Sequence, residues 1–132
     1  MSTKIQFPRM EILQALYELT EPVTPCRFFT SRPPATPEPM HSFLLISLPG
    51  AIRDRGDTYQ STRGRITIFA RDIRGIENAT ALQQMQETIV NLFPIATARF
   101  HAKAPSLLPG GSDGAGFHSI IIQFNITIFK QP

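Results

Sequence analysis

The sequence predicts an α+β fold: a single domain with an antiparallel or mixed sheet of about five strands and two helices on one face, in the order α-β-β-β-α-β-β. Three observations carry this expectation. Two segments repeat apolar residues at three- and four-residue steps, several others alternate apolar with polar residues, and the two kinds are interspersed without the regular alternation of a parallel α/β sheet. The alternating strands each keep one polar side, which is what a sheet covered on one face requires. The 132 residues are the length of one domain, and no internal repeat divides residues 1–132.

Pro8 opens the first helical pattern. Met10, Leu13, Leu16 and Tyr17 form its apolar stripe, with Glu11, Gln14 and Glu18 opposite. Proline is tolerated in a first turn because the amide it lacks has no intrahelical partner. The helix is expected over 8–19, ended by 20–25. Residues 26–31 predict a short strand, and the Pro-rich run 32–39 cannot lie inside a sheet, so it forms a stiff arm. Residues 41–48 are nearly all apolar and stop at Pro49-Gly50, which suits a strand covered on both faces. Alternating charges and Gly56 over 51–57 predict a turn or an extended hairpin tip.

From 59 to 72 the period is two. Ile66, Ile68 and Ala70 point one way, and Arg63, Arg65, Thr67 and Arg71 the other, with Phe69 the exception. Gly75 separates this strand from a second helix striped by Ala79, Leu82, Met85, Ile89 and Leu92, capped by Asn78 or Thr80 and ended at Phe93-Pro94. Residues 95–103 alternate again, and 104–116 predict a Gly-rich loop. The last strand sets Ile120, Ile122, Phe124, Ile126 and Ile128 against Ser119, Gln123, Asn125 and Thr127.

Composition removes several function classes. Cys26 is the only cysteine, so an intrachain disulfide and a cysteine-based zinc knuckle are excluded, and a reducing compartment is expected. The longest strongly apolar run, 43–48, falls far short of the roughly 20 residues that cross a bilayer, so a soluble chain with no membrane partner is expected. His41, His101 and His118 lie at no metal-binding spacing, and the glycines of 109–116 lack the Gly-Lys-Ser/Thr ending of a phosphate cradle. No metal and no cofactor is expected.

The net charge of +3 is local: residues 41–75 carry six arginines against three aspartates, and the flanking segments cancel. Arg63, Arg65 and Arg71 share a strand face, and Arg53, Arg55 and Asp57 lie in the preceding tip, which makes a stripe suited to an acidic protein surface or to phosphates. Aromatics do not interleave with it except at Phe69, which favours a protein partner over single-stranded nucleic acid. A loop as long as 104–116 is a candidate for contacts between subunits, which adds Gly110, Ser112 and Asp113. Two other readings stay open. Ser112, Asp113 and His118 contain the residue types of a small hydrolase, which needs a nucleophile, a base and an orienting group, although the nucleophile-elbow sequence is missing. The arginines alone would make a basic nucleic-acid-binding module.

The element order, the strand end Arg71-Asp72-Ile73 before the second helix, and the closing Phe-His-Ser-Ile-Ile-Ile-Gln-Phe-Asn-Ile-Thr-Ile of 117–128 together resemble the phage tail terminator and tail-completion proteins, also encoded by prophages. The resemblance covers nearly the whole chain. It implies a structural protein with no reaction to catalyse, assembled as a ring of identical subunits, commonly a hexamer, that caps the finished tail tube. The implied partners are further copies of the chain, tail-tube and head-completion proteins, and the passing DNA. The implied location is the host cytoplasm during assembly and then the virion tail. The arm 32–39, the tip 53–57 and the loop 106–116 become the expected contacts.

Overall fold

The computed structural model describes residues 8–29 and 40–130. Its elements are α1 (Arg9–Leu19), β1 (Arg27–Phe28), β2 (Ser42–Ser47), β3 (Arg53–Asp54), β4 (Tyr59–Arg71), α2 (Ala79–Val90), β5 (Ile95–Ala96), β6 (Phe100–Ser112) and β7 (Phe117–Phe129). One sheet runs in the order β1-β2-β4-β7-β6-β5, with β3 attached to β4. β1 is parallel to β2 and the other pairings are antiparallel, so the domain is α+β with a mixed sheet. The arm expected at 32–39 lies outside the described residues.

Both helices cover the same face. Ile12, Leu13 and Leu16 of α1 and Leu82, Met85 and Ile89 of α2 pack with Leu44, Ile46, Ile66, Ile68, Ile122, Phe124, Ile126 and Ile128 in one buried cluster. The stripe expected for α1 needs one correction: Met10 is 60% exposed, and Ile12 is buried in its place. Asn78, and not Thr80, caps α2, accepting a hydrogen bond on Oδ1 from the Ala81 N–H at 3.2 Å. In the middle of β4, Gly64 lies under the Phe124 ring; a Cβ there would come within 2.3 Å of it. Phe93 packs on the same ring, with centroids 4.8 Å apart.

The sheet has seven strands where about five were expected, and the element order becomes α-β-β-β-β-α-β-β-β. Two residues of the charged tip pair with β4 as β3. The strand expected over 95–103 is a hairpin, because the Thr97 hydroxyl accepts from the Arg99 and Phe100 amides and reverses the chain between Ala96 and His101. The loop expected over 104–116 is overturned for most of its length. β6 continues to Ser112 and pairs with β7, with register shifts between Lys103 and Ser106 and between Pro109 and Gly111 that absorb the irregular residues. Pro105 and Pro109 are compatible with this because β6 beyond Ala102 has one strand neighbour only, so a missing N–H on the outer side breaks no ladder. The chain reverses only over 113–116, where Gly114 and Gly116 have φ of 75° and 94°.

The second face is not polar throughout. Phe43, Leu45, Phe69 and Phe117 form a separate buried cluster there, flanked by Cys26, Phe28 and Met40. Phe43 and Phe69 are cross-strand partners whose rings stack at 4.3 Å, and Phe117 meets Phe43 edge-on at 5.2 Å. Phe69, the exception to the alternation of β4, is part of this small core.

Candidate functional site

Alternation along β4 puts Arg63, Arg65 and Arg71 on the second face, in three different environments. Arg63 is exposed, opposite Asn125 of β7. Arg71 is half-buried, donates from Nε to the Met40 carbonyl at 2.7 Å and lies over the Phe117 ring with its guanidinium carbon 4.6 Å from the centroid. It fastens the start of β2 to the aromatic cluster. Arg65 is also half-buried, but its Nε is sealed from solvent and has no hydrogen-bond partner among the described residues.

The tip 53–57 stands apart from these three. Arg53, Arg55 and Asp57 are exposed, and Arg55 Nε donates to the Ser61 hydroxyl at 2.8 Å. The aspartates do not balance the stripe: Asp54 pairs with Lys130 at the end of β7, and Asp72 pairs with His118 on the helix-covered side. The expected continuous stripe is therefore an exposed group, Arg53, Arg55 and Arg63, plus two half-buried arginines with separate settings.

Arg65 lines a recess of about 230 Å³ on the second face. Its floor consists of registered neighbours: Ser47 opposite Arg65, Leu45 opposite Thr67, and Phe69 opposite Ser119. Its wall is the end of the β6–β7 hairpin, where Gly110, Ser112 and Asp113 curl over the sheet. Glycine at 110 is what lets β6 come this close, because a Cβ there would sit 2.0 Å from the Ser119 hydroxyl oxygen. Gly110, Ser112 and Asp113 thus meet Arg65 in one place, while Arg71, Arg63 and the tip 53–57 do not line it.

Ser112, Asp113 and His118 do not form a linked set. Asp113 Oδ1 accepts from the Ala115 and Phe117 amides at 2.7 and 3.1 Å, so this carboxylate shapes the turn. The Ser112 hydroxyl accepts from the Gly114 amide at 3.1 Å. His118 Nδ1 bonds to Asp72 Oδ1 at 2.6 Å, and this hydrogen bond raises the imidazole pKa above the usual 6.5, with Asp72, Glu77 and Asp113 adding to it through their charge and partial burial opposing it. Asp72 is 46 residues from His118 in sequence, and the β4–β7 register, which sets Ala70 opposite His118, brings them together. No spacing in the sequence signals this pair. Among the described residues, no group of three or more His, Cys, Asp or Glu side chains is gathered as a metal site.

The outer edge of β6 is the other feature that sequence reasoning missed. Among the described residues β5 covers it only at His101 and Ala102, and beyond them Leu107 and Leu108 are 43% and 44% exposed. Leu107 stands opposite Ile122 and Leu108 opposite Ile121, so the two leucines lie on opposite sides of the strand. Among the described residues, no helix is long and apolar enough to cross a membrane.

No family model matches the chain, and no curated protein matches it. Among solved structures, a chain whose name states no activity is similar over 93% of this chain and 97% of its own length, with a TM-score of 0.61 and 16% sequence identity. At that identity the likeness shows the fold alone: the whole α+β arrangement recurs in a distant sequence.

Proposed function

We propose that this chain is a structural, non-enzymatic protein of phage or prophage tail assembly, which self-associates into a ring that caps or completes the tail tube. The observation that carries the reading is the edge of β6, which beyond Ala102 no described strand covers, with its two exposed leucines. Such an edge is a template for another chain, and proteins ordinarily blunt it. Here Pro105, Pro109 and the two register shifts prevent long, indefinite strand pairing, while the short stretch 106–108 stays open between them. An edge of this kind suits a closed contact with a defined neighbour, as a ring of identical subunits requires.

Two half-exposed leucines supply only part of such a contact. Burying a whole leucine side chain is worth about 1.5–3 kcal/mol, and a stable interface covers roughly 1,200–2,000 Å². The rest of the surface falls to the hairpin end and to the exposed tip 53–57, whose Arg53, Arg55 and Asp57 offer charge of both signs to a subunit, to a tail-tube or head-completion protein, or to passing DNA.

Light scattering on the purified protein, alone and mixed with tail tubes, tests the reading. A mass several times the 14.7 kDa of the chain is expected, falling to that of one chain in the double variant Leu107→Lys, Leu108→Lys. A chain that stays monomeric at high concentration and also fails to bind tubes contradicts it.

A further inference from the structure

We infer that the second sheet face, at the end away from the β6–β7 hairpin turn, is a binding surface for a single-stranded nucleic acid. This inference goes beyond the ring and does not rest on it. Directly opposed residues of an antiparallel pair share a face, so the register of β4, β7 and β6 gives the rows of side chains there. Arg63 stands beside Asn125, and Asn125 beside Lys103. The next row is Ser61, Thr127 and His101, and the last is Tyr59 and Phe129. Arg53 pairs with Ser61, and Arg55 Nε donates to the Ser61 hydroxyl, so both arginines of the tip join this face. Arg53, Arg55, Arg63, His101, Lys103 and Asn125 are all exposed.

Two independent features select the chemical class. The first is charge. None of the three rows holds a carboxylate, and in the tip Asp54 is paired with Lys130, so Arg53, Arg55, Arg63 and Lys103 face Asp57 alone. Strands lie about 4.8 Å apart and every second residue advances roughly 7 Å, which spreads these cations over an open surface that one flexible phosphate backbone can follow. The second feature is aromatic. β4 carries no ring between its arginines, but the neighbouring strands bring rings to its end: Tyr59 is 41% exposed and opposite Phe129, and His101 meets Phe129 edge-on with centroids 4.7 Å apart. An acidic protein segment would use the cations and leave these rings idle. An unpaired base has a π-face to stack on Tyr59 while its phosphates reach the arginines, and a duplex keeps its bases inside the stack. Asn125 and Thr127, lying between the cations and the rings, add groups that bond to a sugar or to a base edge.

The test uses a labelled oligothymidylate of about twelve nucleotides, followed by fluorescence anisotropy from about 20 mM salt upward, with backbone amide NMR to locate the contact. Expected is saturable binding whose logarithm falls against log salt with a slope of about −2 to −3, as three or four phosphate contacts to a single strand require. The amides of Ser61, Arg63, Asn125 and Lys103 should shift, and those of α1 and α2 should not. Tyr59→Ala, its fold confirmed by a dispersed amide spectrum, should weaken binding about fivefold or more with the salt slope unchanged, and Tyr59→Phe should bind like the unmodified protein. The double variant Arg63→Gln, Lys103→Gln should weaken binding and flatten the slope by about 1.4. No saturable binding at low salt overturns the assignment, and so does a Tyr59→Ala variant that binds as well as the unmodified protein. A duplex of the same length bound more tightly than the single strand overturns the stacking role of the rings. Poly-glutamate bound as tightly, with the same amides shifting, gives the face to an acidic protein instead and overturns the nucleic-acid class.

Discussion

The two faces of the sheet solve the same burial problem with different chemistry. The helix-covered face is aliphatic and continuous, with isoleucines of β4 and β7 meeting the stripes of α1 and α2. The other face is divided: one end holds three phenylalanines and Leu45 in a core of their own, and the other end carries Arg65, hydroxyl groups and a recess. The first face needs only apolar volume of the right shape. The second combines an aromatic anchor with polar side chains, and one buried atom among them, Arg65 Nε, has no hydrogen-bond partner among the described residues.

Four substitutions and one control probe that contrast. The largest effect is expected for Phe43→Ala, at about 3–5 kcal/mol by urea denaturation, because the ring is fully buried and stacked on Phe69 although neither α1 nor α2 packs on it. A loss no larger than that of a surface change would remove the second core. Gly64→Ala probes the helix-covered face: the new Cβ would meet the Phe124 ring, with an expected loss of about 1–3 kcal/mol. Gly50→Ala, whose Cβ would have 3.8 Å to its nearest neighbour, serves as the control and should change little.

The third substitution reads the pH dependence of the pair at the end of β4. Because the folded protein raises the His118 pKa, the stability it contributes is fully present below 6.5 and is lost as the pH rises through the raised value. The stability gap between the unmodified protein and Asp72→Asn should therefore be widest on the mildly acidic side and shrink in alkaline solution. A gap that widens with pH would reverse the assignment. The smallest effect of the four belongs to Arg65→Met, expected within about 0.5 kcal/mol of the unmodified protein, because Arg65 is half-exposed and its Nε makes no hydrogen bond among the described residues. A large loss would make Arg65 part of the structural core and weaken the contrast between the faces.

The sequence made the helix-covered face legible because helical stripes and strict alternation repeat a period over many residues. The regular strands β4 and β7 and both helices were visible for that reason, and the shared face of Arg63, Arg65 and Arg71 followed from the same period. What escaped was set by contacts distant in sequence. Phe69 looked like an error in alternation because its stacking partner, Phe43, lies on another strand. Residues 104–112 looked like a loop because glycine and proline composition does not reveal that an edge strand tolerates both. The recess joins Ser47, Arg65 and Asp113 from two strands and a turn, and the His118–Asp72 pair depends on one strand register.

The central claim is that the open edge of β6 is where this chain meets its own copies. Hydrogen exchange measured by mass spectrometry on the segment 103–112, with Tyr59–Arg71 as the internal reference, tests it most directly. The account predicts slow exchange in the β6 segment of the assembled protein, and fast exchange there in the Leu107→Lys, Leu108→Lys variant while β4 stays protected. Exchange in that segment as fast as in an uncovered strand at every protein concentration, with and without tail tubes, would contradict it.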